Sequence, residues 1–303
     1  MSSTSAKRRT HRPVGKTGHP ARLHADVQTP AQALLSLLEE LQPLLAQHLS
    51  RLQSHKDPDA LHQARVTLRR MRAAQKAFSV IALQSDWQPF LRLARRLARR
   101  LGKIRDLDVL LESTLPRLDP VAAPATTPLR VLLQHYRTRL FRSLCREINA
   151  GNYQSLLQGT PPIASGANPD LQAFATQALE RRQRRVARLA RIARGFRTCH
   201  ALRKRVKELR YAVEFFSALY PRETVNPYMK KLRAAQDALG ALVDCHAGNQ
   251  LLQKIPGRHK ALKGSLTPLV KALKVARIGA RKRLAPHLIA LQDPHQFWDT
   301  LSH

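Results

Sequence analysis

His62, Arg65, Arg69, Arg72 and Lys76 recur at three- and four-residue spacing, and His200, Arg203, Lys207 and Arg210 do the same. At 100° per residue on an α-helix, the first set falls within an arc of about 80°. A row of guanidinium and ammonium groups on one helix face neutralises a string of negative charges, and Arg matches phosphate oxygens with a planar fork. The opposed side of each segment is apolar: Ala64, Leu68, Met71, Ala74 and Phe78 in one, Leu202, Val206, Leu209, Ala212 and Phe216 in the other. That is the stripe a core requires. Almost no acidic residues stand at the i,i+4 positions that would turn the basic rows into ordinary ion-paired faces.

Further basic rows flank these two. Arg92, Arg96, Arg99 and Lys103 follow helical spacing with Arg95 beside them, and Lys230 and Arg233 supply their counterpart. Arg181, Arg184, Arg188 and Arg191 line another segment, and Arg137 and Arg139 are matched by Arg281 and Arg283. A basic surface several helices wide suits a long ligand better than a single small phosphate. Stacking on bases would need interleaved aromatics, yet Phe, Trp and Tyr make up only 5% of the chain, and Phe78 and Phe216 sit on the core side. No zinc-finger, RNP or helix-turn-helix signature is present. A polymer of bare phosphate is therefore favoured, with non-specific nucleic-acid or nucleoid binding as the alternative.

Catalysis is not expected. Hydrolysis or transfer of phosphoryl groups ordinarily uses acidic metal ligands, and the 20 Asp and Glu are mostly isolated or flanked by Arg. Asp106 and Asp244 read as positioning partners for a His or an Arg. His62 and His200 either donate to phosphate oxygens or cap their helices and orient a neighbouring Arg. A metal site would need Cys199-His200 to meet Cys245-His246, but Leu61 and Asp108 occupy the matching positions of the other copy. Neither metal nor cofactor is therefore expected. Gly15-Lys16-Thr17 resembles the end of a phosphate-binding P-loop, but Thr10 stands where the upstream Gly belongs, and neither strand nor apolar helix flanks it.

The elements that must carry these rows are helices. Hydrophobic residues, mainly Leu and Ala, make up 43% of the 303, Gly numbers only 12, and residues that favour strands are sparse. The 3.6-residue period predicts helices over 30–54, 58–83, 87–113, 127–148, 170–195, 198–219, 224–253 and 263–291. Expected breaks are Asp57-Pro58, the stretch from Pro116 to Pro128, residues 159–169, Pro221, Pro256-Gly257 and Pro286. A repeat organises them. An offset of 138 residues relates His62 to His200, Arg69 to Lys207, Phe78-Ser79 to Phe216-Ser217, Leu101-Gly102 to Leu239-Gly240, and Asp106 to Asp244. Two copies of a four-helix unit follow, over 28–160 and 168–303, after a basic arm of residues 1–27 that lacks apolar periodicity.

Net charge bears on the partner. The 38 Arg and 15 Lys against 20 acids give +33, which strains a compact chain unless a counter-charge is usually present. Three cysteines without close pairing suit reduced thiols in the cytoplasm. No apolar run approaches the ~18 residues that would span a membrane, and the N-terminus lacks the apolar region of a secretory signal.

Four segments in order carry a family resemblance: 62–72 (HQARVTLRRMR), 101–110 (LGKIRDLDVL), 200–211 (HALRKRVKELRY) and 239–244 (LGALVD). They resemble the CHAD domain, the conserved histidine α-helical domain, over about residues 28–303. The resemblance implies an all-α fold of two pseudo-symmetric four-helix bundles around a basic central channel or cleft. It also implies binding of inorganic polyphosphate and association with polyphosphate granules. His62 and His200 would be the residues for which the family is named, and Arg65, Arg69, Arg72, Arg203, Lys207 and Arg210 its basic positions. Some members carry a CYTH triphosphatase domain upstream; this chain has no Glu-x-Glu-x-Lys motif.

Overall fold

The computed structural model describes residues 27–54, 59–82, 84–163, 170–254 and 267–299. Nearly all of these are helical: α1 Pro30–Ser54, α2 Ala60–Ala77, α3 Gln84–Val109, α4 Leu115–Asn149, a short α5 Gln154–Gln158, α6 Leu171–Arg191, α7 Phe196–Phe216, α8 Arg222–Lys254 and α9 Thr267–Ala290. Extended pairing among the described residues is limited to the isolated bridge between Ala82 and Ile163. No described helix is long and apolar enough to cross a membrane. The basic arm and the expected breaks at Asp57-Pro58 and Pro256-Gly257 lie outside the described residues.

Local chemistry sets the helix starts. Thr29 and Gln32 form a reciprocal cap, each side chain bonded to the other's backbone N–H at 3.3 and 3.1 Å, with Pro30 at the first helical position. Asp170 accepts from the Ala173 N–H at 2.7 Å to cap α6. The 138-residue repeat survives in the helix boundaries: α3 starts at Gln84 and α8 at Arg222, and each carries proline at its sixth residue, Pro89 and Pro227.

Two expected breaks are absent. The Pro116–Pro128 stretch is helical, joined to α3 through a π-helical turn at Leu110–Thr114, and α9 runs through Pro286. Pro116 has no N–H to give to the carbonyl four residues back. In the wide turn before it the Leu115 N–H bonds instead to the Leu110 carbonyl, five residues back. Pro116, Pro120, Pro124 and Pro128 recur every fourth residue, so their missing donors share one side of the helix.

Packing follows the repeat as well. α1 packs on α2, α2 on α3 and α3 on α4, and likewise α6 on α7, α7 on α8 and α8 on α9, while α2 meets α7 and α4 meets α9. Both predicted apolar stripes are buried. At the α2–α7 contact Phe78 packs against Phe216, its own repeat equivalent, with ring centroids 5.3 Å apart, and Phe174 stacks on Phe78 at 5.4 Å. A single large core therefore runs through both halves, and a smaller one lies between α3, α4 and α9 around Leu115, Leu129 and Leu273. Buried glutamines tie each fourth helix's exit to the first helix of its half. Gln42 donates to the Leu156 and Gly159 carbonyls at 3.2 and 2.9 Å, and Gln183 to the Leu291 carbonyl at 3.1 Å.

Candidate anion-binding site

The two basic stripes converge. Repeat-equivalent residues face one another along α2 and α7: Arg203 acts on Arg65, Arg69 acts on Lys207, and Phe78 touches Phe216. Because these pairings advance together, the two helices lie side by side in the same direction, and their stripes line one cleft.

Lys207 sits among Arg65, Arg69 and Arg203. Burial, then Arg69, Arg203 and Arg65, push its amine down to about 7, against the opposite pull of Asp244. Burial also lowers the Arg65 and Arg72 guanidiniums, helped by Arg69 and Arg105 around Arg65 and by Arg95 and Arg99 around Arg72. Crowding like charges at this density is unfavourable unless an anion enters. Buried Arg69 Nε, Arg203 Nε and His200 Nδ1 have no hydrogen-bond partner within the protein. Each is a polar group that a ligand oxygen or water can satisfy.

α3 and α8 position the arginines by the same device. A Cβ on Gly102 would stand 2.8 Å from Arg65 Nη1, and one on Gly240 would stand 3.5 Å from Arg203 Nη2. These glycines, from the Leu-Gly motifs, leave a slot for a guanidinium. One turn on, Asp244 lies 3.6 Å from Arg203, and Asp106 acts on Arg65. Asp244 also acts on Asp106. Burial and then Asp244 raise the Asp106 carboxyl above its usual value, while Arg65 pulls it back. Each aspartate thus has an arginine of the basic stripes beside it.

The histidines open the cleft at the helix starts. Burial, then Arg105, Arg69 and Arg65, hold His62 below its usual value; burial, then Lys204, Arg203 and Lys207, do so for His200. Both environments therefore favour the neutral imidazole over the charged one. Phe196 stacks on His246 with centroids 3.4 Å apart and lies 5.7 Å from His200, so the two histidines do approach each other. The Cys199 thiol is turned away, donating to the Ala193 carbonyl at 3.3 Å.

Other expected residues have different surroundings. Arg210 belongs to an i,i+4 ion pair with Glu214 and donates to Gln236 at 2.9 Å, so the second stripe has an acidic partner that its spacing allowed. Arg210 also lies 4.3 Å over the Tyr211 ring, which Arg69 approaches from α2 at 5.8 Å. Lys76 pairs with Glu208 of α7. On α3, Arg99 and Arg95 face Arg72, whereas Arg96 turns to Glu147 at 3.2 Å. Arg137 is bonded to buried Asp108 and lies 5.5 Å over Phe141. Arg92, Lys230, Arg233 and Arg281 are exposed, with Arg281 near Cys199. Arg105 joins the cleft beside His62 and Arg65; its signal was its place next to Asp106 in the quoted motif.

Comparison with known proteins bears on this arrangement. A family model described as CHAD domain matches residues 32–253. Among solved structures, the chain is similar to the crystal structure of the CHAD domain from the plant Ricinus communis. That match has 24% identity over 93% of this chain and 100% of the other, with a TM-score of 0.71. It is also similar to PptA from Streptomyces chartreusis, with 19% identity over 88% of this chain and 98% of the other, and a TM-score of 0.61. No curated protein matches the chain.

Proposed function

The chain belongs to the CHAD domain family, and on that premise we propose that it binds inorganic polyphosphate along the α2–α7 cleft without catalysing its turnover. One observation carries the reading: Lys207 is buried where Arg69 and Arg65 of one helix and Arg203 of its own converge on it, and burial first, then these three arginines, push its amine down. A linear polyanion relieves that repulsion along its whole length, which a single small anion cannot do. The carboxylates at the cleft, Asp106 and Asp244, are engaged by arginines, so they position cations rather than act on phosphate. Binding of this kind would hold the protein at polyphosphate granules in the cytoplasm.

The test is competition between labelled polyphosphate and duplex DNA, matched in charge, at physiological salt. Polyphosphate should win. With eight cationic contacts, log K should fall with log[salt] at a slope of about −5.6, taking the −0.7 per contact of single strands. Equal or tighter DNA binding would overturn the ligand, and charge reversal at Arg69 and Lys207 without loss of affinity would overturn the site.

A further inference from the structure

A second basic recess lies beside the cleft. Lys76 in the last turn of α2, Ser79 just beyond its end, Arg182 and Arg185 on α6, and Arg205 and Glu208 on α7 line a cavity of about 170 Å³. At ~30 Å³ per water, it has room for between five and six waters, the bulk of one or two phosphate groups. Its four cations meet one carboxylate. Glu208 is gripped by Lys76 and, at 2.7 Å, by Arg205. Arg182 is fixed by donating to the Ala178 carbonyl at 2.6 Å and to the Lys76 carbonyl. Arg185 is exposed at the rim.

The recess breaks the internal repeat. Across the 138-residue offset, Arg205 corresponds to Thr67, Glu208 to Arg70 and Lys76 to Glu214. The duplicated stripes therefore do not account for it. Glu208 also acts on Arg72, which places the recess next to the cleft wall.

We propose that this recess is a separate anion site that takes a compact phosphate group, either free pyrophosphate or the end of a phosphate chain, with Glu208 as the internal counter-ion the ligand displaces. Lys76, Arg182, Arg185 and Arg205 supply the charge and Ser79 a hydroxyl donor. The site stands whatever polymer the main cleft binds.

Pyrophosphate is the probe, titrated into the full chain by calorimetry. R185E, at the exposed rim, should weaken it about tenfold or more, the cost of losing a charged hydrogen bond, with the melting temperature unchanged. E208Q should tighten pyrophosphate several-fold by removing the competing carboxylate. K207E, in the cleft, should leave pyrophosphate untouched while weakening long polyphosphate, so the two sites fail independently. A weaker hold on end-capped than on free-ended polyphosphate, lost in R185E, would assign the occupant to the chain end; equal holds would assign it to free pyrophosphate. The proposal falls if pyrophosphate does not bind, or if R185E and E208Q both leave its affinity unchanged.

Discussion

Binding of a polyanion should draw a proton onto Lys207. The amine is pushed down to about 7 from an ordinary 10.5, by burial, then by Arg69 and Arg65 from α2 and Arg203 from its own helix; Asp244 from α8 only partly offsets them. A phosphate chain reverses the local field and restores the charged form. At pH 8 a group of pKa ~7 is protonated in roughly one molecule in eleven, and one restored to ~10.5 almost fully, so binding takes up about 0.9 proton. At pH 6 the same site takes up only about 0.1, and through linkage affinity falls about tenfold from pH 6 to pH 8. The sign for folding is separate. The native state binds fewer protons than the unfolded chain, so this group's penalty on stability is full below about pH 7 and disappears as pH rises towards 10.5. Calorimetry of polyphosphate binding at pH 8, in two buffers of different ionisation enthalpy, counts the protons. K207R should bind with most of that uptake gone, because guanidinium stays charged throughout. His62 and His200 also lie below their usual values, but both remain in K207R, so comparing the two chains isolates the lysine's share. No net uptake at pH 8 in the unaltered chain, or equal uptake in K207R, would refute the reasoning.

Two further outcomes separate positioning from packing. Gly102→Ala should lower polyphosphate affinity several-fold by driving a methyl against Arg65 Nη1, while thermal stability holds or rises, since Ala favours a helix interior by about 1 kcal/mol over Gly. Gly240→Ala, with 3.5 Å to Arg203, should do less; parallel binding and melting curves decide, and the reverse order would sink the slot argument. Arg137→Ala should cost roughly 3–5 kcal/mol in denaturant unfolding, because Asp108, 4% exposed, loses its ion pair. Its salt slope for polyphosphate should stay unchanged, whereas Arg69→Ala should reduce that slope by about 0.7; a changed slope in Arg137→Ala would return that residue to the binding face.

Much of this was legible in the residue order. The apolar and basic stripes of α2 and α7 are properties of a 3.6-residue period, which depends only on neighbours along the chain. The residues expected inside, from Ala64 to Phe78 and from Leu202 to Phe216, are inside. Proline runs misled because the rule applied to them is local as well. It holds that proline breaks a helix, but a π turn and fourfold spacing carry the helix through Pro116 to Pro128.

Which side chains meet was settled by tertiary packing. The repeat supplied two like stripes; only the parallel contact of α2 with α7 brought them into one cleft and set Lys207 among three arginines. Gly102 and Gly240 were visible as motif letters, but their use became clear once Arg65 and Arg203 lay against them. Arg137 and Asp108, 29 residues apart, show the same dependence. A charge on one helix face is fixed by sequence spacing, whereas its energy is fixed by what the folded chain places within a few ångströms of it.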